Sequence, residues 1–307
     1  MLNKKSLICL VNFLFLLVLS ACATTPPAIE VPAQEPPVSY PKNFHPQVIL
    51  VLGSGGARGF SHVGVLEILE KNHIPIDMIV GTSAGSIVGA LYADHPDAAN
   101  VRKLLLTARR DKVIDFSIIN LPSGPISGTG LQNFLITSMR AKTFNQLQIP
   151  FVAVAANMET GKLHVFASGP IAPAVNASSA APPFFRPVAI YGKTFADGGL
   201  IDPVSVDVAK RFHPKIIIAV RLDSTLAKKL PTYSPGNFLR GFNMMLLQLS
   251  KYSAQDANII ITPETGDIDM FEDAGRAESM RAGEVATAKQ ISAIKKLLAL
   301  NKISLTR

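Results

Sequence analysis

Short apolar runs alternate along most of this chain with stretches of helical periodicity. The first run, Val48–Leu52, is rich in branched residues and is closed by Gly53. Such runs are typical of strands that are buried on both faces of a parallel sheet. The predicted strands are Val48–Leu52, 76–80, 151–155, 215–220 and Ile259–Ile261.

The stretches between these runs predict helices. In Ser61–Lys71 the apolar residues recur at the spacing of one helix face. The other predicted helices are 84–92, 131–139, 238–249 and 283–300. Residues 171–190 are apolar but contain several prolines, so we expect a helix followed by an irregular loop. Repeated strand-helix order predicts an α/β fold with a largely parallel sheet.

The first residues resemble a targeting segment. Lysines at positions 4 and 5 precede an apolar run over 7–19, which is too short to span a membrane. Small residues and then Cys22 follow, and this junction resembles the lipobox of bacterial lipoproteins, which are cleaved before the cysteine and acylated on it. The alternative is an ordinary signal peptide with a chance cysteine. We therefore predict a lipoprotein signal peptide, 1–21, and lipidation of Cys22.

The remaining chain divides into a tether and a domain. Residues 22–46 comprise the lipidated cysteine and a Pro-rich segment without apolar periodicity, and 47–307 is long enough for one domain with a full core. Ala23 stands where an aspartate often marks inner-membrane retention, so the predicted location is the outer membrane of a bacterial envelope. The only other cysteine, Cys9, lies in the signal, which excludes disulfides and a catalytic cysteine from the domain.

Charge adds little to this picture. The formal net charge of +8 fits a protein near anionic lipid, but it fits a soluble domain almost as well. No Lys/Arg run is interleaved with aromatic residues, which argues against nucleic acid as a partner. No cofactor or metal is implied, and the oligomeric state stays open.

Candidate chemistry begins with Gly81-Thr82-Ser83-Ala84-Gly85, between a predicted strand and a predicted helix. A G-x-S-x-G turn in that position projects the serine hydroxyl from a tight bend, beside the unpaired N–H groups of the helix. The alternative is a tight turn in which the serine only caps the helix. A second motif, Asp197-Gly198-Gly199, is by itself a turn signal.

A glycine-rich loop, 53–59, follows the first strand, and its backbone N–H groups could converge on a phosphate or a developing oxyanion. A dinucleotide site requires G-x-G-x-x-G, but Arg58 occupies the sixth position here, and a Walker A loop requires G-K-[ST]. In a parallel sheet this loop and the serine turn share the carboxyl edge. The oxyanion interpretation is therefore favoured.

The ordered set G-x-G-G-A-R-G, G-T-S-A-G and D-G-G resembles the bacterial patatin-like phospholipase family. The resemblance implies a three-layer α/β/α fold, a lipid substrate and a Ser-Asp dyad without histidine. It assigns Ser83 as the nucleophile and Asp197 as the base. The backbone N–H groups of Gly55, Gly56 and Ala57 would form the oxyanion hole, and Arg58 would orient the substrate or pair with an acid. Ser54 departs from the glycine triplet of the plant members.

Three alternatives remain. A Ser-His-Asp triad would need a histidine after the acid, and the only one is His213, expected at the amino end of a strand, opposite the site. A catalytically silent lipoprotein could use the same domain to bind a lipid or a partner. Asp202 and Asp207 could indicate acid or metal chemistry, but their spacing favours a solvated helix start.

Overall fold

The computed structural model describes residues 31–38, 40, 44–117, 123–223, 232, 234–266 and 275–306. Val31–Arg307 forms one compact unit. Its strands are β1 (Val48–Leu52), β2 (Met78–Thr82), β3 (Phe151–Asn157), β4 (Leu163–Phe166), β5 (Val188–Ile190), β6 (Lys193–Asp197), β7 (Ile216–Val220) and β8 (Ile259–Ile261). Its helices are α1 (Ser61–Lys71), α2 (Ala84–Asp94), α3 (Ala98–Thr107), α4 (Arg110–Val113), α5 (Thr129–Ser138), α6 (Ile171–Ser178), α7 (Val206–Lys210), α8 (Ser234–Ala254) and α9 (Arg276–Leu300).

The centre of the sheet is parallel, with β3, β2, β1, β7 and β8 side by side in that order. Every residue of β1 is buried, as expected for a strand covered on both faces. On one face Ile49 shares a core with Val206 of α7 and Ala254 of α8. On the other face α2 lies so close that a Cβ at Gly89 would be 3.1 Å from Ile79. The predicted three-layer α/β/α fold with a largely parallel sheet is confirmed.

The predicted bounds of the second strand, 76–80, were wrong by two residues at each end. The carboxylate of Asp77 accepts the backbone N–H groups of Gln47 and Val48, so it fixes the start of β1, and the first residue paired with β1 is Met78, opposite Ile49. The strand therefore begins at Met78. It continues to Thr82 because its last residues still pair with β3.

The predicted helices are all present; Ser61–Lys71 has the predicted bounds, and the others have corrected ends. The helix predicted at 283–300 begins earlier, at Arg276, and the one predicted at 238–249 is longer at both ends. Residues 171–190 begin as the predicted helix, α6, but the loop after it ends in the strand β5. Within the described ranges, none of the helices combines the length and the hydropathy needed to cross a bilayer.

Three strands, β4, β5 and β6, are antiparallel and were not predicted. Both β2 and β4 pair with Val154, so they lie on opposite edges of β3. Both β4 and β6 pair with Ala155, so β6 lies on the same edge as β2. Asp197 is the partner of Ala155, and Thr82 is the partner of Val154. The carboxyl ends of β2 and β6 therefore meet on one edge of β3.

The described part of the predicted tether contacts the domain. Glu35 lies 3.0 Å from the imidazole Nε2 of His164, and the carbonyl of Pro36 accepts a hydrogen bond from the hydroxyl of Ser168. Tyr40 packs edge-on against the ring of Phe212, with 5.7 Å between the ring centroids. The predicted signal peptide, 1–21, and Cys22 lie outside the described residues.

Candidate active site

Ser83 occupies a sharp turn between β2 and α2. Its backbone has φ 56° and ψ −123°, an unfavourable conformation for a residue with a side chain. The flanking glycines make the turn possible. A Cβ at Gly85 would lie 2.0 Å from the last carbonyl oxygen of β1, and one at Gly81 would lie 2.6 Å from a backbone atom of α2. Ser83 stands at the N-cap position, but its side chain makes no capping hydrogen bond, so the capping interpretation was wrong.

The Ser83 hydroxyl instead donates to Asp197, with 2.5 Å between Oγ and Oδ2. The other carboxylate oxygen of Asp197 accepts the N–H of Gly199 at 2.7 Å. Asp197 is buried, and desolvation raises its pKa from 3.8 to about 6, against the opposing effect of these two hydrogen bonds. The carboxylate is therefore a stronger base than an ordinary aspartate and is still mostly ionised at pH 7.

The backbone of Ser83 is held by other serines. Its N–H donates to the hydroxyl of Ser178 at 3.0 Å, and that hydroxyl donates to the carbonyl of Val154 at 2.6 Å. Its carbonyl accepts from the hydroxyls of Ser86 at 2.6 Å and Ser179 at 3.2 Å. Satisfied polar groups of this kind fix a strained turn in one geometry. Ser178 and Ser179 were not predicted, because only the three-dimensional fold brings α6 to the turn.

The glycine-rich loop lies beside the same turn. The N–H of Gly53 donates to the last residue of β7, and the N–H of Ser54 donates to the carbonyl of Pro203. Gly56 has φ 57°, which glycine adopts without strain. A Cβ at Gly59 would lie 2.4 Å from that of Ala84, so the loop rests directly on the first residue of α2.

The three predicted oxyanion donors remain available. Among the residues that the structure describes, no acceptor bonds the backbone N–H groups of Gly55, Gly56 or Ala57. These residues line the same cavity as Ser83 and Asp197. Arg58 also lines it, and its backbone N–H donates to the carbonyl of Gly55. The structure thus brings together all six site residues predicted for the domain.

The cavity has a volume of about 1070 Å³, and most of its lining is aliphatic or aromatic. Its apolar lining includes Ile87, Val88, Leu131, Phe134, Phe242 and Leu246. The only charged residues in the described lining are Asp197 and the arginines Arg58, Arg110 and Arg276. A cavity of this size and character suits a hydrocarbon chain that carries one polar, reactive end.

The sequence of this region decides the family. The model for patatin-like phospholipases matches residues 50–210, which include the glycine-rich loop, the serine turn and the aspartate motif. The chain belongs to the patatin-like phospholipase family.

Curated relatives agree with this assignment, and one solved structure has a similar fold. Over 207 residues the chain is 31% identical to an uncharacterized NTE family protein of Mycobacterium tuberculosis, covering 67% of this chain and 57% of that protein. Over 215 residues it is 29% identical to patatin-like phospholipase domain-containing protein 6 of Homo sapiens, covering 67% of this chain and 15% of that protein. The chain therefore spans little more than half of the mycobacterial relative. VipD from Legionella pneumophila has a similar fold, with a TM-score of 0.51, 14% identity, and coverage of 90% of this chain and 73% of that one.

The chain has six histidines, all in the part of it that the structure describes, and none lines the cavity. His213 lies three residues before β7, at the amino end of that strand, as expected. His62 is fully buried beneath the glycine-rich loop, where its Nε2 lies 2.8 Å from the carbonyl oxygen of Gly53. Burial lowers its pKa to about 4, so the ring is neutral at pH 7 and Nε2–H donates to that carbonyl.

Asp202 and Asp207 of the patatin-like domain differ in exposure. Asp202 is buried rather than solvated, and burial raises its pKa to about 6, so the solvated interpretation was wrong for this residue and held only for the exposed Asp207. The reason is that Asp202 lies in the turn between β6 and α7, where its backbone N–H donates to the carbonyl of Gly198. Within the described ranges, no three His, Cys, Asp or Glu side chains cluster as a metal site.

The departure at Ser54 is accommodated locally. A Cβ at Gly199 would lie 2.9 Å from the hydroxyl oxygen of Ser54 and 3.0 Å from the Asp197 carboxylate. The Ser54 side chain therefore fills space that the glycine leaves open. Because the loop presents its backbone N–H groups to the cavity, this side chain does not change the donors.

Proposed function

We propose that the domain is a lipid acyl-ester hydrolase that uses Ser83 as its nucleophile and Asp197 as its general base. The observation that carries this proposal is the 2.5 Å contact between the Ser83 hydroxyl and the Asp197 carboxylate in the wall of a large apolar cavity. Membership of the patatin-like phospholipase family supports the same activity. The substrate class is a membrane phospholipid or lysophospholipid.

In the first half of the reaction, Ser83 Oγ attacks the ester carbonyl carbon while its proton passes to Asp197 Oδ2. The tetrahedral intermediate carries an oxyanion, which the N–H groups of Gly55, Gly56 and Ala57 stabilise. One such donor is worth about 10²–10³-fold in rate. The intermediate collapses to an acyl-serine, and the leaving alcohol takes the proton from Asp197.

In the second half, Asp197 accepts a proton from a water molecule as that water attacks the acyl-serine. Collapse of the second tetrahedral intermediate returns the proton to Ser83 Oγ and releases the fatty acid. Asp197 can both accept and return the proton because its raised pKa, about 6, is closer to pH 7 than the pKa of an ordinary aspartate. Arg58 is proposed to orient the polar end of the substrate.

The test is ester hydrolysis by the unmodified domain beside Ser83→Ala and Asp197→Asn, on short and long p-nitrophenyl esters and on phospholipid vesicles. Asp202→Asn is a matched control, because it is also a buried aspartate with a pKa near 6 but does not line the cavity. We expect loss of at least about 10³-fold in kcat for both site variants and near-normal activity for the control.

A serine-directed fluorophosphonate separates the enzyme from the alternative. Labelling of the folded domain that is abolished by Ser83→Ala supports the hydrolase. Absence of labelling and of hydrolysis on every substrate would favour a silent lipid- or partner-binding protein. Activity retained by Asp197→Asn would refute that residue as the base.

The proposed location is the bacterial outer membrane, through acyl chains on Cys22. It rests on the junction between the apolar run and that cysteine. Metabolic labelling with an alkyne analogue of palmitate tests it. The full chain should be labelled and recovered with membranes, whereas Cys22→Ser should be unlabelled.

A further inference from the structure

Helix α8 carries a stripe of exposed apolar side chains. Phe238, Met245 and Tyr252 are 74%, 70% and 69% exposed. They are spaced seven residues apart, which places them on one face of the helix with a drift of only about 20° per step. At a rise of 1.5 Å per residue they extend over about 21 Å. Scattered single exposed apolar residues are common, but an aligned row on one helix usually marks a contact surface.

The same helix is lightly packed along most of its length. Among the side chains described between Gly236 and Leu249, none is buried, although more than half of them are apolar. The first buried residues are Ser250 and Ala254 near the carboxyl end. The face next to the stripe, which includes Phe242, lines the catalytic cavity. Helix α8 is therefore apolar both towards the cavity and towards the outside.

Three lining residues mark the opening of the cavity, because they line it and are nevertheless exposed: Arg110, Pro183 and Phe238. The stripe thus begins at the opening itself. Arg110 at the same opening belongs to a short exposed segment, 109–112, which comprises the start of α4 and the residue before it and has three cations and one acid. Phe116, which is 61% exposed, follows this segment. Apolar and cationic groups consequently surround one opening.

We infer that the stripe on α8, together with segment 109–112, is a surface that docks on a bilayer containing anionic phospholipid. An interfacial helix inserts its apolar side between the headgroups while flanking lysines bind the phosphates, and Lys251 lies on the flank of the stripe. A second copy of this chain is a less suitable partner for this surface, because the cations of segment 109–112 in the two copies would face and repel each other. This inference rests on the proposed function only in that a docked bilayer would deliver lipid to Ser83.

The test uses the compact unit 31–307, which contains the whole sheet and cavity, and vesicles of dialkyl-ether phosphatidylglycerol, which an esterase cannot hydrolyse. Flotation with these vesicles measures binding without catalysis. The change is Phe238→Ser, Met245→Ser and Tyr252→Ser in one variant. We expect the partition coefficient to fall about a hundredfold, because three apolar side chains no longer leave water.

The matched control replaces Val285, Leu300 and Leu305 by serine. They are 48%, 70% and 45% exposed and lie on or after α9, on another part of the surface. Unchanged binding by this control, with similar thermal unfolding of both variants, would support the docking surface. Equal losses in the two variants, or no loss in the α8 variant, would overturn it.

Charge gives a second, independent arm. Lys112→Ala and Lys251→Ala should each lower binding to phosphatidylglycerol vesicles about fivefold at low salt, and neither should matter for vesicles of phosphatidylcholine alone. Lys295→Ala and Lys296→Ala on α9 are the controls. Equal effects of all four changes would overturn the assignment to this face, as would a dimer in sedimentation that the α8 serine variant dissociates.

Failure here and failure of the proposed function are distinguishable. Ether-lipid binding that depends on α8, without hydrolysis of any ester, would refute the hydrolase but not the docking surface. Hydrolysis of soluble esters without α8-dependent binding to ether lipid would refute the docking surface but not the hydrolase.

Discussion

Replacement of Asp197 by asparagine should stabilise the domain above pH 7 while abolishing activity. Asparagine keeps the size of the side chain and an oxygen that can accept the N–H of Gly199. It removes a carboxylate that burial makes costly to ionise. A residue held for catalysis at the expense of stability is common in enzyme sites.

The size of the effect follows from the pKa of Asp197. The folded value of about 6 lies about two pH units above the ordinary 3.8. Because the folded state keeps the proton over a range in which the unfolded state has lost it, this group lowers stability as pH rises from about 4 to 6, and the loss is complete above 6. At about 1.4 kcal/mol per pH unit, the carboxylate costs about 3 kcal/mol at pH 8 and about half of that at pH 5.

The assay is urea unfolding of both proteins at pH 5 and pH 8, followed by far-UV circular dichroism. We expect the difference in unfolding free energy between Asp197→Asn and the unmodified domain to grow by about 1–2 kcal/mol from pH 5 to pH 8. Asp202 also has a raised pKa, but it is present in both proteins and its contribution cancels. A difference that is the same at both pH values would refute the argument, because it would mean that burial does not disfavour the ionised Asp197.

Three further outcomes are expected. The kcat/KM for a soluble ester should rise about tenfold per pH unit up to about 6 and then level off, since Asp197 must be ionised to act as base; a flat profile between pH 5 and 8 would contradict this. Ser178→Ala should cost about 1–3 kcal/mol in urea unfolding and lower kcat more than it changes KM, because the buried N–H of Ser83 loses its acceptor; a change in KM alone would argue against a positioning role. Gly85→Ala should destabilise the domain by more than about 3 kcal/mol, because the new Cβ would meet a backbone oxygen at 2.0 Å. Gly241→Ala on α8, where nothing lies within 4 Å of the new Cβ, should stabilise it by about 0.5–1 kcal/mol. Similar unfolding free energies for the two variants would refute the packing argument.

The parts of the fold that were predicted correctly are those whose information is local. Val48–Leu52 and Ser61–Lys71 were predicted with their observed bounds, because each has an uninterrupted apolar pattern and a clear end. The serine turn and the glycine-rich loop were located by the same means, since the strand before each one is buried and the small residues after it permit a close turn.

The antiparallel strands were missed because their patterns are short and only partly buried. A local signal for one pair existed. β5 and β6 are joined by two residues, Tyr191 and Gly192, with φ values of 54° and 69°, which suits a tight hairpin turn. Nothing in the local sequence indicates that Asp197, at the end of this hairpin, pairs with β3. Its neighbourhood depends on contacts between residues more than 100 positions apart.

The distance between nucleophile and base is set by the sheet rather than by loops. Ser83 directly follows Thr82, the partner of Val154, and Asp197 is the partner of Ala155. Adjacent residues of β3 therefore fix the positions of the nucleophile and the base. A shift of one residue in either pairing would reverse the direction of the side chains and separate the dyad. Changes in the surrounding loops, such as the serine at position 54, leave this register untouched. The loops can therefore vary with the substrate. A change in the pairing register of β3, by contrast, should abolish activity even when Ser83 and Asp197 are themselves unchanged.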